Sequence, residues 1–159
     1  MRRAITWFVV VTALCTPSSS AERRSWNRIR YAGGTIPVKT SPYDWNTTLT
    51  VSVNPNMIVL EIAPVSVFQT KQIVRMKPSQ VTSLSAGPAA WRRVGEVSGA
   101  QLPAKSPALF GLLKDFGFLG IVYQTDDGKS AAILLDSYFS WQMLRVLKAV
   151  TGKEIEESP

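Results

Sequence analysis

The sequence predicts a mainly β domain with one C-terminal helix, its six or seven antiparallel strands closed into a small barrel or a two-sheet sandwich. Three observations carry that expectation. Phe118-Leu-Gly-Ile-Val-Tyr-Gln-Thr125 and Lys129-Ser-Ala-Ala-Ile-Leu-Leu-Asp136 are apolar runs rich in β-branched residues, and Asp126-Asp127-Gly128 between them supplies the positive φ of a tight hairpin turn. Tyr138 to Val150 then runs without Gly or Pro, with Ser137 as candidate N-cap and Gly152 as the residue that stops it. Upstream, short apolar runs recur between turn signals, the pattern of small β domains that hide their sheet edges by closure.

Within the C-terminal helix, Phe139, Met143, Val146, Leu147 and Val150 fall on one apolar stripe, while Ser140, Arg145 and Lys148 lie on the other side. Trp141 falls nearly opposite the Met143 and Val150 stripe, so it either lies under a loop of this chain or meets a partner. Among the strands, Arg28 to Val38 alternates, with Ile29, Tyr31, Ile36 and Val38 on the core face and Gly33-Gly34 marking a bulge or bend. Thr48–Val53 and Met57–Ile62 are joined by Asn54-Pro55-Asn56, a turn signature. Gln72–Met76 follows and Pro78 breaks it. Val81–Ser85 is another strand, Gly87-Pro88 a turn, and Ala90–Val97 a short strand. Ser98 to Phe116 is long for a connection in a compact domain, and such connections often carry function. Either Leu109, Phe110, Leu112, Leu113 and Phe116 fold back to plug the barrel mouth, or Leu109, Phe110 and Leu113 stay exposed as an interaction surface, to which Trp141 is added as a candidate.

The N-terminus reads as an export signal. Met1-Arg-Arg is a basic lead, Ala4 to Leu14 is apolar, and Ser19-Ser20-Ala21 fits the small-x-small rule, placing cleavage before Glu22. The apolar run is far shorter than the ~20 residues that span a bilayer. Cys15 leaves open a lipoprotein acceptor, although Leu14 before it is larger than that motif prefers. The chain then divides into a signal peptide at 1–21, a polar lead at 22–27, one domain at 28–152 and a polar tail at 153–159. An exported protein of this kind is periplasmic or extracellular. Cleavage after Ala21 removes the one cysteine, and with it any disulfide or thiolate chemistry. The whole chain of 159 residues is formally +7; losing Arg2 and Arg3 leaves sixteen basic against eleven acidic residues, or +5. That balance favours anionic surfaces weakly.

Three segments carry a resemblance: Trp26-Asn-Arg-Ile-Arg-Tyr-Ala-Gly-Gly-Thr35, Arg92-Arg-Val-Gly95 and Leu119-Gly-Ile-Val-Tyr-Gln-Thr-Asp-Asp-Gly128. With them the chain resembles a group of small exported, uncharacterised bacterial proteins. In its order of strands before a final helix, from roughly Trp26 to Gly152, it resembles the bacterial pleckstrin-homology-like proteins. That resemblance implies seven strands in two near-orthogonal sheets with a helix capping the barrel. It implies no activity. Eukaryotic pleckstrin-homology domains often bind phosphoinositides through basic residues at the first loop, and here Pro37 to Asn46 carries only Lys39, so that property does not transfer.

Catalytic chemistry is narrowed by elimination. The chain has no histidine, which removes Ser-His and Cys-His pairs and most zinc sites. It has no GxSxG, Walker-type loop or GxGxxG. Asp126-Asp127 reads as a hairpin turn rather than a calcium site, which wants six or more oxygens, and Asp44 beside Trp45 as a solvated turn rather than a sugar site. Neither a cofactor nor a metal is expected. Trp91-Arg92-Arg93 sets an aromatic beside two cations, as nucleic-acid stacking sites do, but the other charges are dispersed and export removes such a partner. The expectation is therefore a non-catalytic binding module of the cell envelope, touching a protein partner or a membrane surface. The alternative is a carrier or sensor of a small apolar or lipidic ligand held between barrel and helix. A carrier requires an apolar pocket, and an interaction module a filled core with an exposed apolar patch.

Overall fold

A computed structural model describes residues 22–157 apart from 40, 42, 66–68 and 100–116. The elements run β1 (Arg23–Gly34), β2 (Thr47–Ser52), β3 (Met57–Ile62), β4 (Gln72–Met76), a 3₁₀ turn (Pro78–Gln80), β5 (Val81–Ala86), α1 (Gly87–Ser98), β6 (Phe118–Gln124), β7 (Ser130–Asp136), α2 (Ser140–Thr151) and β8 (Ile155–Glu156). The strands form one sheet in the order β4-β3-β2-β1-β7-β6-β5-β8. The mainly β class stands, but closure does not, since β4 and β8 are left as edges. Among the described residues there are eight strands rather than six or seven, and two helices rather than one. The helix expected at the C-terminal end is α2, and β8 follows it, pairing parallel to β5 through Leu84 and Ser85.

Strand β1 organises the sheet. Its first half pairs with β2, from Arg23 opposite Ser52 to Ile29 opposite Thr47. Its second half pairs with β7, from Arg30 opposite Asp136 to Gly34 opposite Ile133. The hand-over falls at a register shift between Trp26 and Ile29, where Arg28 adopts a φ of 56°. A side chain in that left-handed region costs of order 1 kcal/mol and is held there by the strands on either side. The Gly33-Gly34 pair marks a second shift, as its sequence suggested. The strand also begins at Arg23, inside the stretch expected to be a polar lead, because β2 offers it a partner.

The inner faces meet in one core. Leu49, Val51, Ile58, Leu60 and Met76 come from the β1–β4 half, and Leu84, Leu119, Ile121, Ile133 and Leu135 from the β5–β7 half. Helix α2 adds Met143, Leu144 and Leu147, each without exposed surface. Burial on this scale is worth roughly 2 kcal/mol per large side chain. Alternation makes the other face of β6 and β7 apolar too, and α1 covers it: Ala90 and Val94 pack on Ala32, Phe118, Val122, Ala132 and Leu134. Strands covered on both faces read as continuous apolar runs, which is why 118–123 and 131–135 lack polar positions. Gly120 allows the close fit, for a Cβ there would lie 3.2 Å from the Ala90 Cα.

Helix α1 replaces the short strand expected at Ala90–Val97. Gly87 takes a φ of 53° and Pro88 occupies the first turn, so the pair starts a helix instead of closing a turn. Trp91 is half-buried, edge-on to Phe118 at 5.1 Å, and Arg92 and Arg93 face out. Both arginines hold Glu156 of β8, Arg92 at 2.7 Å and Arg93 at 2.5 Å. Hydrogen bonds from Arg93 first and Arg92 second keep the Glu156 carboxyl below its ordinary value. A depressed folded value means this support is complete above the ordinary glutamate range and is lost as pH falls through the folded value. Protection of the Ile155 and Glu156 amides from hydrogen exchange is therefore expected to drop on acidification before that of β6, and Glu156→Gln to reproduce the drop at neutral pH. Equal acid sensitivity of β8 and β6 would contradict the clasp.

Candidate interaction surface

The pairing of β1 with two different strands also assembles a surface. Ile29 stands opposite Thr47, two residues after Trp45, and Arg30 stands opposite Asp136, two residues before Tyr138. Neighbouring positions on β1 thus bring together the loop before β2 and the turn after β7. There Trp45 and Tyr138 stack, with ring centroids 5.8 Å apart and planes 14° from parallel. Tyr138 is 91% exposed, and Tyr43 beside the stack 79%. The turn that presents Tyr138 is fixed by backbone bonds. Ser137 N–H donates to the Gly117 carbonyl at 3.0 Å, and Phe139 N–H donates to the Ser137 hydroxyl at 3.1 Å.

Arg30 and Asp136, which stand opposite each other on β1 and β7, form an ion pair. Arg30, buried, donates from Nε and Nη2 to the Asp136 Oδ2 at 3.2 and 2.7 Å, and its guanidinium lies 5.8 Å from the Phe118 ring centre. Charge pairing and the aromatic face together compensate the desolvation of Arg30. Of the two stacked rings Tyr138 stands in solvent, while Trp45 keeps 36% of its surface exposed.

The surface continues along α2. Trp141 is 40% exposed on the helix's outer side, as its wheel position suggested, and no loop among the described residues buries it fully. Phe139 does not join the buried stripe. The helix starts at Ser140, so Phe139 is its N-cap and is 48% exposed. Ser137 caps the preceding turn rather than the helix, and Gly152 ends the helix in the left-handed conformation expected of it. Past Trp141, an open groove of about 360 Å³ lies between α2 and the first half of β1, lined by Arg24, Ser25, Trp26, Gln142, Arg145 and Val146. Arg24 reaches Glu22 at 3.4 Å, an exposed pair worth little. Among the described residues Arg145 has no acidic partner. Leu109, Phe110 and Leu113, the other candidate contacts, lie outside the described residues.

The remaining titratable groups have local, structural settings. Burial raises the phenols of Tyr31 and Tyr123, both core residues. The Tyr31 hydroxyl accepts from Ile36 N–H at 3.2 Å and tethers the segment after β1. Lys71 lowers Glu61, and Lys129 with Thr125 lowers Asp127, each at the solvent surface. Among the described residues no three His, Cys, Asp or Glu side chains converge to hold a metal ion, and no helix is long and apolar enough to cross a membrane.

Sequence reasoning placed Trp141 on the outer side of the helix, where it is 40% exposed, and did not single out the exposed Tyr43, Trp45 and Tyr138. The signal was a run of aromatics inside turn residues, Tyr43-Asp-Trp45, too large and apolar for a merely solvated loop. No known protein family and no curated protein matches the chain.

Proposed function

We propose that this protein is a non-catalytic interaction module of the bacterial cell envelope, exported after removal of its first 21 residues. The observation that carries the reading is the exposed aromatic surface built on Trp45 and Tyr138, over a core that is already full. Isolated exposed aromatics are ordinary. A stacked pair with Tyr43 beside it and Phe139 and Trp141 on the adjoining turn and helix is a concentration of apolar area of the kind that marks contact sites. The same filled core argues against a carrier of an apolar ligand, because Met143, Leu144 and Leu147 occupy the space between helix and sheet. The pleckstrin-homology-like resemblance is compatible with the bent, shared β1 and with a helix laid on the core. Helix α1 and strand β8 depart from that pattern. The test is a double substitution, Trp45→Ser with Tyr138→Ser. It is expected to leave the fold intact and to abolish capture of the envelope component that the wild-type chain retains.

A further inference from the structure

We infer that the outer face of α2, with the groove beside it, docks on a bilayer surface carrying anionic phosphate headgroups. The inference rests on the interaction-module reading and names its partner.

Trp141, Arg145 and Lys148 follow one another at i, i+4 and i+7, so an amphipathic ring and two cations share one side of the helix. Lys148 is engaged by Glu154 at the far end, whereas Arg145 has no acidic partner among the described residues. Arg145 lines the groove together with Arg24, and the other lining residues, Ser25, Trp26, Gln142 and Val146, carry no negative charge. Two guanidinium groups and a tryptophan around an open groove of about 360 Å³ match a phosphate headgroup with its glycerol. The acidic partner of Arg24 is Glu22, and their exposed contact at 3.4 Å is weak enough to be exchanged for a phosphate. Asp44, between Tyr43 and Trp45, is the acidic group beside the stack.

The composition of the surface suits the headgroup level of a bilayer. The exposed large apolar side chains of the turn before α2 and of α2 itself are Tyr138, Phe139 and Trp141, with no aliphatic side chain among them. Tyrosine and tryptophan, wet at one end and apolar at the other, settle at the headgroup level, and arginine beside them gains from the negative surface potential. No helix among the described residues is long and apolar enough to cross a membrane.

The experiment is co-sedimentation of the mature chain with vesicles of phosphatidylcholine alone and of phosphatidylcholine mixed with phosphatidylglycerol. Binding to the mixed vesicles only, weakened by added salt, is expected. Arg24→Gln with Arg145→Gln is expected to weaken it about 30-fold, from a factor of about five for each basic residue at the surface. Arg24→Lys with Arg145→Lys, which keeps the charge, is expected to retain most of it. Equal binding to both vesicle types, or an unchanged double-Gln variant of native stability, overturns the inference. So does soluble glycerol phosphate that binds as tightly as the vesicles, since the groove is then a small-anion site. If vesicles are ignored while Trp45→Ser with Tyr138→Ser still loses an envelope protein, the bilayer inference fails and the interaction-module reading stands. If neither vesicles nor envelope components depend on these residues, both fail.

Discussion

Asp136→Ala is expected to cost the fold about 3 kcal/mol or more, among the largest effects of any single substitution in the described residues. The magnitude comes from what is left behind. Arg30 is only 7% exposed, and its Nε and Nη2 both donate to Asp136 Oδ2. Removing the carboxylate strands a buried guanidinium whose other neighbour is the face of Phe118, and a cation–π contact of ~1–2 kcal/mol does not replace the pair. Replacing both partners by apolar residues, Arg30→Met with Asp136→Leu, is expected to recover much of the loss, because no uncompensated charge then remains. Urea unfolding of the three variants measures this. A loss under about 1 kcal/mol for Asp136→Ala would show that the pair is screened by solvent and behaves as a surface ion pair.

Gly34→Ala is expected to be comparably severe, above about 2 kcal/mol. Gly34 has a φ of 135°, which an L side chain rarely adopts, and its pairing holds it against β7. A Cβ there would stand well inside van der Waals contact of the Ala132 carbonyl oxygen and 2.9 Å from its carbon. Both are backbone atoms of a buried central strand and cannot move aside. Gly128, in the hairpin turn, isolates the conformational part of the effect. Its φ is 80° but a Cβ would meet nothing within 4 Å, so Gly128→Ala is expected to cost only the ~1 kcal/mol of the left-handed conformation. Equal losses at the two positions would contradict the steric account.

What the sequence made legible follows from how local the determinants are. The β6–β7 hairpin needs only its two apolar runs and the Asp-Asp-Gly turn, and the register from Phe118 opposite Asp136 to Gln124 opposite Ser130 is the pairing that turn dictates. Helix α2 was equally plain, because its buried Met143 and Leu147 and its terminal Gly152 are a helix-period pattern with its own stop. Helix α1 was not. Its buried face is made of Ala89, Ala90 and Val94, small residues whose spacing carries little apolar signal, and it is drawn down by Gly120 from a strand far along the chain. Strand β8 exists only through its pairing with β5 and its clasp to Arg92 and Arg93, neither visible from Ile155-Glu156 alone. The aromatic surface is non-local in the same way. Trp45 and Tyr138 are 93 positions apart and meet because β1 borders both β2 and β7.

The central claim is that the fold is complete without its exposed aromatics and that those aromatics exist for contact. It is tested most directly by measuring, on Trp45→Ser with Tyr138→Ser, urea-unfolding stability and retention of envelope components from the same preparation. The expected result is a stability loss below that of truncated buried aromatics, since Tyr138 is 91% exposed and Trp45 36%, together with loss of the retained component. A fall of about 3 kcal/mol or more, the mark of truncated buried aromatics, or full retention by a stable variant would contradict it.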